Sequence, residues 1–177
     1  MIRRSVSLFA LTLILAATIL GGCAGSASIK TIKSSEYTDR LKKVLVVHPL
    51  KERMGPEYAG VFEKRLVEEF AKRQIDVNFA IVPGRLDLDE VPSFEKQAVS
   101  YGASSLFIMR SAGGLRTEYG HLIRADFDAS IFDLASKKRV WRADIRYQVG
   151  GTAVPVAERV EVLLGEILKG LASDGMI

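Results

Sequence analysis

The sequence predicts a single α/β (α+β) domain in which helices pack on a mixed sheet. Three observations lead there: the unbroken apolar run Val44-Leu45-Val46-Val47, amphipathic stretches at helical spacing after it, and two strictly alternating segments centred on Phe127 and Trp141. An apolar run of that kind is covered on both faces, as in the middle of an α/β sheet, whereas strict alternation marks antiparallel strands with one buried face.

The first strand follows Lys42-Lys43 and stops at His48-Pro49. Pro56 then opens a helix of about five turns, because Val61, Phe62, Leu66, Val67 and Phe70 recur on one side and Glu63, Lys64, Glu68 and Glu69 on the other. Ile75 to Val82 is rich in β-formers and is halted by Pro83-Gly84, which predicts a second strand. A shorter helix is expected from about Pro92 to Tyr101, with Gly102 as its cap, and Ser105-Leu106-Phe107-Ile108-Met109 is a third strand covered on both faces. The glycines of Ser111 to Gly120 predict a flexible loop.

Beyond it, Ile123, Ala125, Phe127, Ala129 and Ile131 alternate with Arg124, Asp126, Asp128 and Ser130. After a turn at Ala135-Ser136-Lys137-Lys138, Trp141, Ala143, Ile145 and Tyr147 alternate with Arg142, Asp144 and Arg146. Trp141 falls in the core-facing register, so it is expected to be a buried anchor. Pro155 starts a last helix with an apolar stripe of Val160, Leu163, Leu164, Ile167, Leu168 and Leu171, closed by Asp174-Gly175. The predicted order is βαβαβββα over residues 43–177.

The amino terminus has another character. Arg3-Arg4 precede an uncharged, mainly apolar stretch from Val6 to Leu20, which ends in Gly21-Gly22-Cys23 with no stop-transfer cluster. The stretch is shorter than the roughly 20 residues that span a bilayer, so residues 1–22 are expected to be a cleaved signal peptide. Residues 23–42 are rich in Ser, Ala, Lys and Thr and lack a sustained apolar period, which predicts a flexible tether. Cys23 is the sole cysteine of 177 residues. If that thiol is modified, none remains for a disulfide or a nucleophile. The chain carries a formal charge of +4, two units of which are Arg3 and Arg4 within the expected signal peptide. Nucleic-acid binding gains no support from so small a remainder.

Leu20-Gly21-Gly22-Cys23 resembles the lipobox of bacterial lipoproteins. The resemblance implies diacylglycerol and palmitate on Cys23, cleavage before it, and attachment to the cell envelope. Ala24 stands where Asp would signal inner-membrane retention, so the implied location is the outer membrane, facing the periplasm. The element order, with Phe132-Asp133 leading into Lys137-Lys138-Arg139-Val140-Trp141-Arg142, resembles a group of envelope lipoproteins. That group includes the penicillin-binding-protein activator LpoB, the amino-terminal domain of TolB and the CsgG-like secretion lipoproteins.

Catalytic and metal signatures are weak. His48 and His121 are the only histidines and neither has a second ligand at metal-binding spacing. Asp87-Leu88-Asp89-Glu90 lacks the glycine and distal glutamate of a calcium loop. The expected function is therefore non-enzymatic binding or scaffolding in the envelope, without cofactor or metal. The partners are the membrane, through lipid on Cys23, and an envelope protein or peptidoglycan. Arg124, Arg142, Arg146, Asp126, Asp128 and Asp144 are the candidate surface, either paired across strands or presented to that partner. Two alternatives remain: an envelope hydrolase built on His48 with Asp87 and Asp89, and a small-ligand or lipid carrier, which needs an enclosed apolar pocket.

Overall fold

The run Lys43–Val47 forms a strand that sends Val44 and Val46 into one apolar cluster and Leu45 and Val47 into another on the opposite face. This alternation inside a continuously apolar segment divides the domain into two unequal layers. The computed structural model describes residues 25–81, 91–151 and 153–177.

Ten elements follow in chain order: β1 (Gly25–Lys33), β2 (Lys43–Val47), α1 (Leu50–Met54), α2 (Pro56–Ala71), β3 (Asp76–Phe79), α3 (Val91–Tyr101), β4 (Ser105–Arg116), β5 (Leu122–Asp133), β6 (Lys138–Val149) and α4 (Val156–Ser173). They build one six-stranded sheet in the order β1-β6-β5-β4-β2-β3. Its β3, β2 and β4 are parallel, as strands joined through helices must be, and β4, β5, β6 and β1 are antiparallel. The α/β class and the mixed sheet are present, and from β2 onward the sequence-derived order holds apart from the short α1, an additional helix before α2.

The larger layer lies between the sheet and two helices. Phe62, Leu66 and Phe70 of α2 and Val160, Leu163, Leu164, Ile167 and Leu171 of α4 pack onto Phe107, Phe127, Ile131, Trp141, Ile145 and Tyr147. Tyr58 and Tyr147 both donate hydroxyl hydrogen bonds to the Arg159 carbonyl, at 3.2 and 2.9 Å, tying α2 and β6 to the first turn of α4. Trp141 is buried as its register predicts, and its indole Nε1–H donates to the Asp174 carboxylate at 2.7 Å. On the other face α3 brings Phe94 and Ala98 against Leu45, Val47, Leu106 and Ile108, with Phe132 and Leu134 from the end of β5 at the margin. Among the described residues nothing covers β1, β6 and the remaining lengths of β4 and β5 on that side.

Two expectations need correction. Within the supposed tether of residues 23–42, Gly25–Lys33 forms β1, paired antiparallel with β6 from Gly25↔Val149 to Lys33↔Trp141. Only Ala27 and Ile29 of this strand pack against the main core, so its apolar period is too sparse for pattern reading, and the ladder to β6 holds it instead. The closeness of α4 matters here. A Cβ on Gly170 would come within 3.0 Å of Ile29 Cδ1 and 3.1 Å of Thr31 Cγ2, so the bare glycine lets the helix lie down on the strand.

The second correction concerns the loop expected from Ser111 to Gly120. Strand β4 continues to Arg116 with register shifts at Ser111/Gly113 and Leu115/Arg116, and the turn is confined to Thr117–His121. Gly114, at φ 156°, lies so close to β5 that a Cβ would sit 2.5 Å from the Arg124 carbonyl oxygen. Here the glycines serve a bulge and a close approach within a strand.

Candidate functional site

The uncovered face is built by period-two alternation on β4, β5, β6 and β1. On β5 and β6 the alternating apolar set is committed to the layer under α2 and α4, so the charged set between them shares the opposite face, where Arg110 continues β4 beyond the part covered by α3. The sheet thus brings together all six residues singled out from the sequence: Arg124, Asp126 and Asp128 on β5, and Arg142, Asp144 and Arg146 on β6. The register places Asp126 opposite Arg146 and Asp128 opposite Asp144. The facing carboxylates would repel, and Arg142 sits between them, with its guanidinium 3.1 Å from Asp128 and 3.3 Å from Asp144. Arg124 lies 3.1 Å from Asp126, which also meets Arg146 at 3.6 Å.

Pairing across strands is therefore real, yet these groups are half-exposed, and ion pairs of this type contribute only about 0–1 kcal/mol each. They remain open to exchange with charges on a partner. Sequence reasoning missed two cations of the same rows. Arg110 of β4 lies opposite Asp128, and Lys30 of β1 lies opposite Asp144. Lys30 was hidden because β1 was not recognised, and Arg110 because β4 was ended too early. With them, cations outnumber carboxylates across the face. A shallow depression of about 360 Å³ runs over it, bordered by Ser28, Lys30, Asp126, Asp144 and Arg146.

A second concavity, about 500 Å³, opens beside α3 between Val99 and the end of β5 at Phe132 and Leu134, with Glu95, Lys96 and Lys137 at its rim. It is a groove open to solvent, unlike the enclosed apolar chamber that a lipid carrier needs.

His48 closes β2 and points into the protein. Its side chain is 6% exposed, with ring edges against Phe62 and Phe79 at centroid distances of 5.4 and 5.7 Å. Burial pushes the imidazole down to about 4, so it is neutral at physiological pH. Its Nδ1 accepts from the Leu50 backbone N–H at 3.4 Å, and its Nε2 lies 3.2 Å from a Glu63 carboxylate oxygen. The ring thus sits at the β2–α1 corner, packed against α2. Asp87 and Asp89, the other members of the hydrolase expectation, lie outside the described residues. His121 is exposed in the β4–β5 turn, where its backbone carbonyl accepts from Thr117 N–H at 2.8 Å. Among the described residues no group of three or more His, Cys, Asp and Glu side chains is placed to hold a metal ion.

The His48 geometry predicts an acid-sensitive stability. The unfolded chain takes up a proton near pH 6.5 that the folded chain refuses until about pH 4. Stability is then complete above the unfolded value and declines as pH falls toward the folded one, by on the order of 3 kcal/mol from this group. Glu63, whose carboxyl is raised by burial, titrates with the opposite sign and offsets part of the slope. Urea midpoints measured between pH 7 and 4 should flatten in His48→Gln relative to the unsubstituted chain. An unchanged slope would refute the assignment.

No protein-family model matches the chain, and no curated protein matches it. Solved structures do. A single-substitution variant of the PelC dodecamer from Paraburkholderia phytofirmans is 16% identical with a TM-score of 0.53, the match covering 82% of this chain and 97% of that one. A second structure of the PelC dodecamer gives 14% identity and a TM-score of 0.52, covering 82% and 96%. Lipoprotein GNA1162 from Neisseria meningitidis gives 13% identity and a TM-score of 0.45 over 75% of this chain and 99% of that one. At these identities the likeness to PelC is one of fold.

Proposed function

We propose that this chain is a lipid-anchored, non-enzymatic binding module of the bacterial cell envelope, held at the membrane through Cys23 and engaging protein partners through the open face of its sheet. The observation that carries the reading is that half-covered sheet: four strands present interleaved Arg, Lys and Asp side chains whose ion pairs are exchangeable, while among the described residues α3 covers β2, the first part of β4 and the end of β5. Excess cations on the face suit a partner with surplus carboxylates. The module sits on the periplasmic side of the outer membrane, following the lipobox and Ala24. Self-association is one form such binding takes, a reading supported by the shared fold with PelC, which crystallised as a dodecamer.

The enzymatic alternative gains little from His48, whose ring is buried between Phe62 and Phe79 with Nδ1 held by the Leu50 N–H. Two measurements test the proposal. In cells, Cys23→Ser should abolish palmitate labelling and leave the precursor uncleaved; persistent labelling would overturn the anchor. Reversing Arg142 and Arg146 to Glu should weaken, by tenfold or more, cross-linking to the partners recovered by the unsubstituted protein, with circular dichroism unchanged. Equal recovery would remove the sheet face from the binding role.

A further inference from the structure

The β4–β5 hairpin ends in apolar side chains that no other described residue covers. Leu115 is 51% exposed, Tyr119 80% and Ile123 39%. The tip is nonetheless well formed: Thr117 N–H donates to the His121 carbonyl at 2.8 Å, Gly120 N–H donates to the Thr117 carbonyl at 3.0 Å, and the Arg116 guanidinium donates to the Gly120 carbonyl at 2.8 Å. An ordered turn that holds a tyrosine and two aliphatic side chains in water exposes them at a cost unless another surface receives them.

Sheet register fixes where this tip lies relative to Cys23. Ser26 pairs with Gln148, Gln148 with Arg124 and Arg124 with Leu115, so a single row crosses β1, β6, β5 and β4. Gly25 and Arg116 each continue one residue beyond that row toward the same end of the sheet. Only Ala24 separates Gly25 from Cys23. Two residues span at most about 7 Å, and three strand spacings set β1 about 15 Å from β4. Anything attached to the Cys23 thiol is therefore held near the level of the hairpin tip.

Resting on the reading of Cys23 as a lipid anchor, we propose that the hairpin tip is a second, non-covalent membrane contact. Tyr119, Leu115 and Ile123 seat in the interfacial layer of the bilayer that holds the lipid, with Arg116 and Arg124 at phosphate level. Tyrosine favours that layer because its ring is apolar and its hydroxyl wet. Glu118, also in the turn, stays in the hydrated headgroup zone. Three modest side chains would not hold a free protein on a membrane, but the anchor makes the contact intramolecular and raises its effective concentration. A single covalent point leaves the domain free to swivel, and the second contact stands the sheet upright with its open face directed sideways along the membrane.

The test couples the mature chain, beginning at Cys23, through its single thiol to a maleimide-bearing lipid in phosphatidylcholine–phosphatidylglycerol vesicles. Tyr119→Trp supplies a reporter, and the signal of buried Trp141 is subtracted using the unsubstituted chain. The added emission should shift to the blue and be quenched by a lipid carrying a nitroxide near its headgroup. A tryptophan placed by Ala135→Trp, in the β5–β6 turn at the other end of the sheet, should not be quenched. Adding Leu115→Asp to Tyr119→Trp should cut the quenching several-fold. Quenching at position 119 no greater than at 135 overturns the proposal, as does a blue shift without vesicles, which would mean that a second copy covers the tip. Because the coupling imposes the anchor chemically, such a failure leaves the lipoprotein reading intact, whereas that reading falls on loss of acyl labelling in cells.

Discussion

Replacing Trp141 with alanine should destabilise the domain by about 3–5 kcal/mol, a large part of the 5–15 kcal/mol typical of a domain. The indole is the largest side chain fully buried here, and it meets Phe107 edge to face with centroids 6.3 Å apart. Its Nε1–H bond to Asp174 fastens β6 to the end of α4, and the backbone carbonyl of the same aspartate accepts from Lys33 of β1 at 2.8 Å. Truncation would open a cavity and free both ties. Trp141→Phe should cost less, about 1–2 kcal/mol, because most of the packing survives and the hydrogen bond alone is lost. Since Trp141 is the sole tryptophan, urea unfolding is best followed by far-ultraviolet circular dichroism. An alanine variant within 1 kcal/mol of the parent would show that the indole does not organise the core.

The second large effect concerns β1. A chain starting at Ser34 should be about 2–4 kcal/mol less stable than one starting at Ala24, since removing the strand strips β6 of its ladder and uncovers the flank of α4 beside Ile29. A flexible tether could be removed at no cost. Gly170→Leu provides an independent measure. In the longer chain the new side chain collides with Ile29 and Thr31 and should cost about 1–3 kcal/mol. In the shorter chain those atoms are gone, and the gain in helix propensity over glycine should leave the substitution neutral or mildly stabilising. The double-mutant cycle then reports the contact itself, and an identical cost in both chains would show that α4 does not rest on β1.

These two regions mark how far the sequence could be read. Strands β2, β5 and β6 and helices α2 and α4 were legible because each buries one continuous apolar pattern, and Trp141 could be assigned to the core by parity alone. Strand β1 was not, since an edge strand held by backbone pairing needs few apolar side chains, and Ser, Lys and Thr at its other positions imitate a linker. The far half of β4 was missed because Gly113-Gly114 punctuates a turn in most contexts and here forms a bulge against β5. The charged residues of the candidate face were visible in the alternation, but their grouping with Lys30 and Arg110 depends on long-range register that no local pattern encodes.

That register also sets an order of events. Gly25–Lys33 lies close behind the signal-like segment, yet its only ladder partner is Lys33 through Gly25 against Trp141 through Val149, more than a hundred residues downstream. During synthesis the first strand of the sheet to emerge is the last able to pair, so loop closure over nearly the whole domain precedes its docking. Until β6 arrives, β1 has no strand to pair with among the described residues, and its docking is the step that closes the sheet between its two edges.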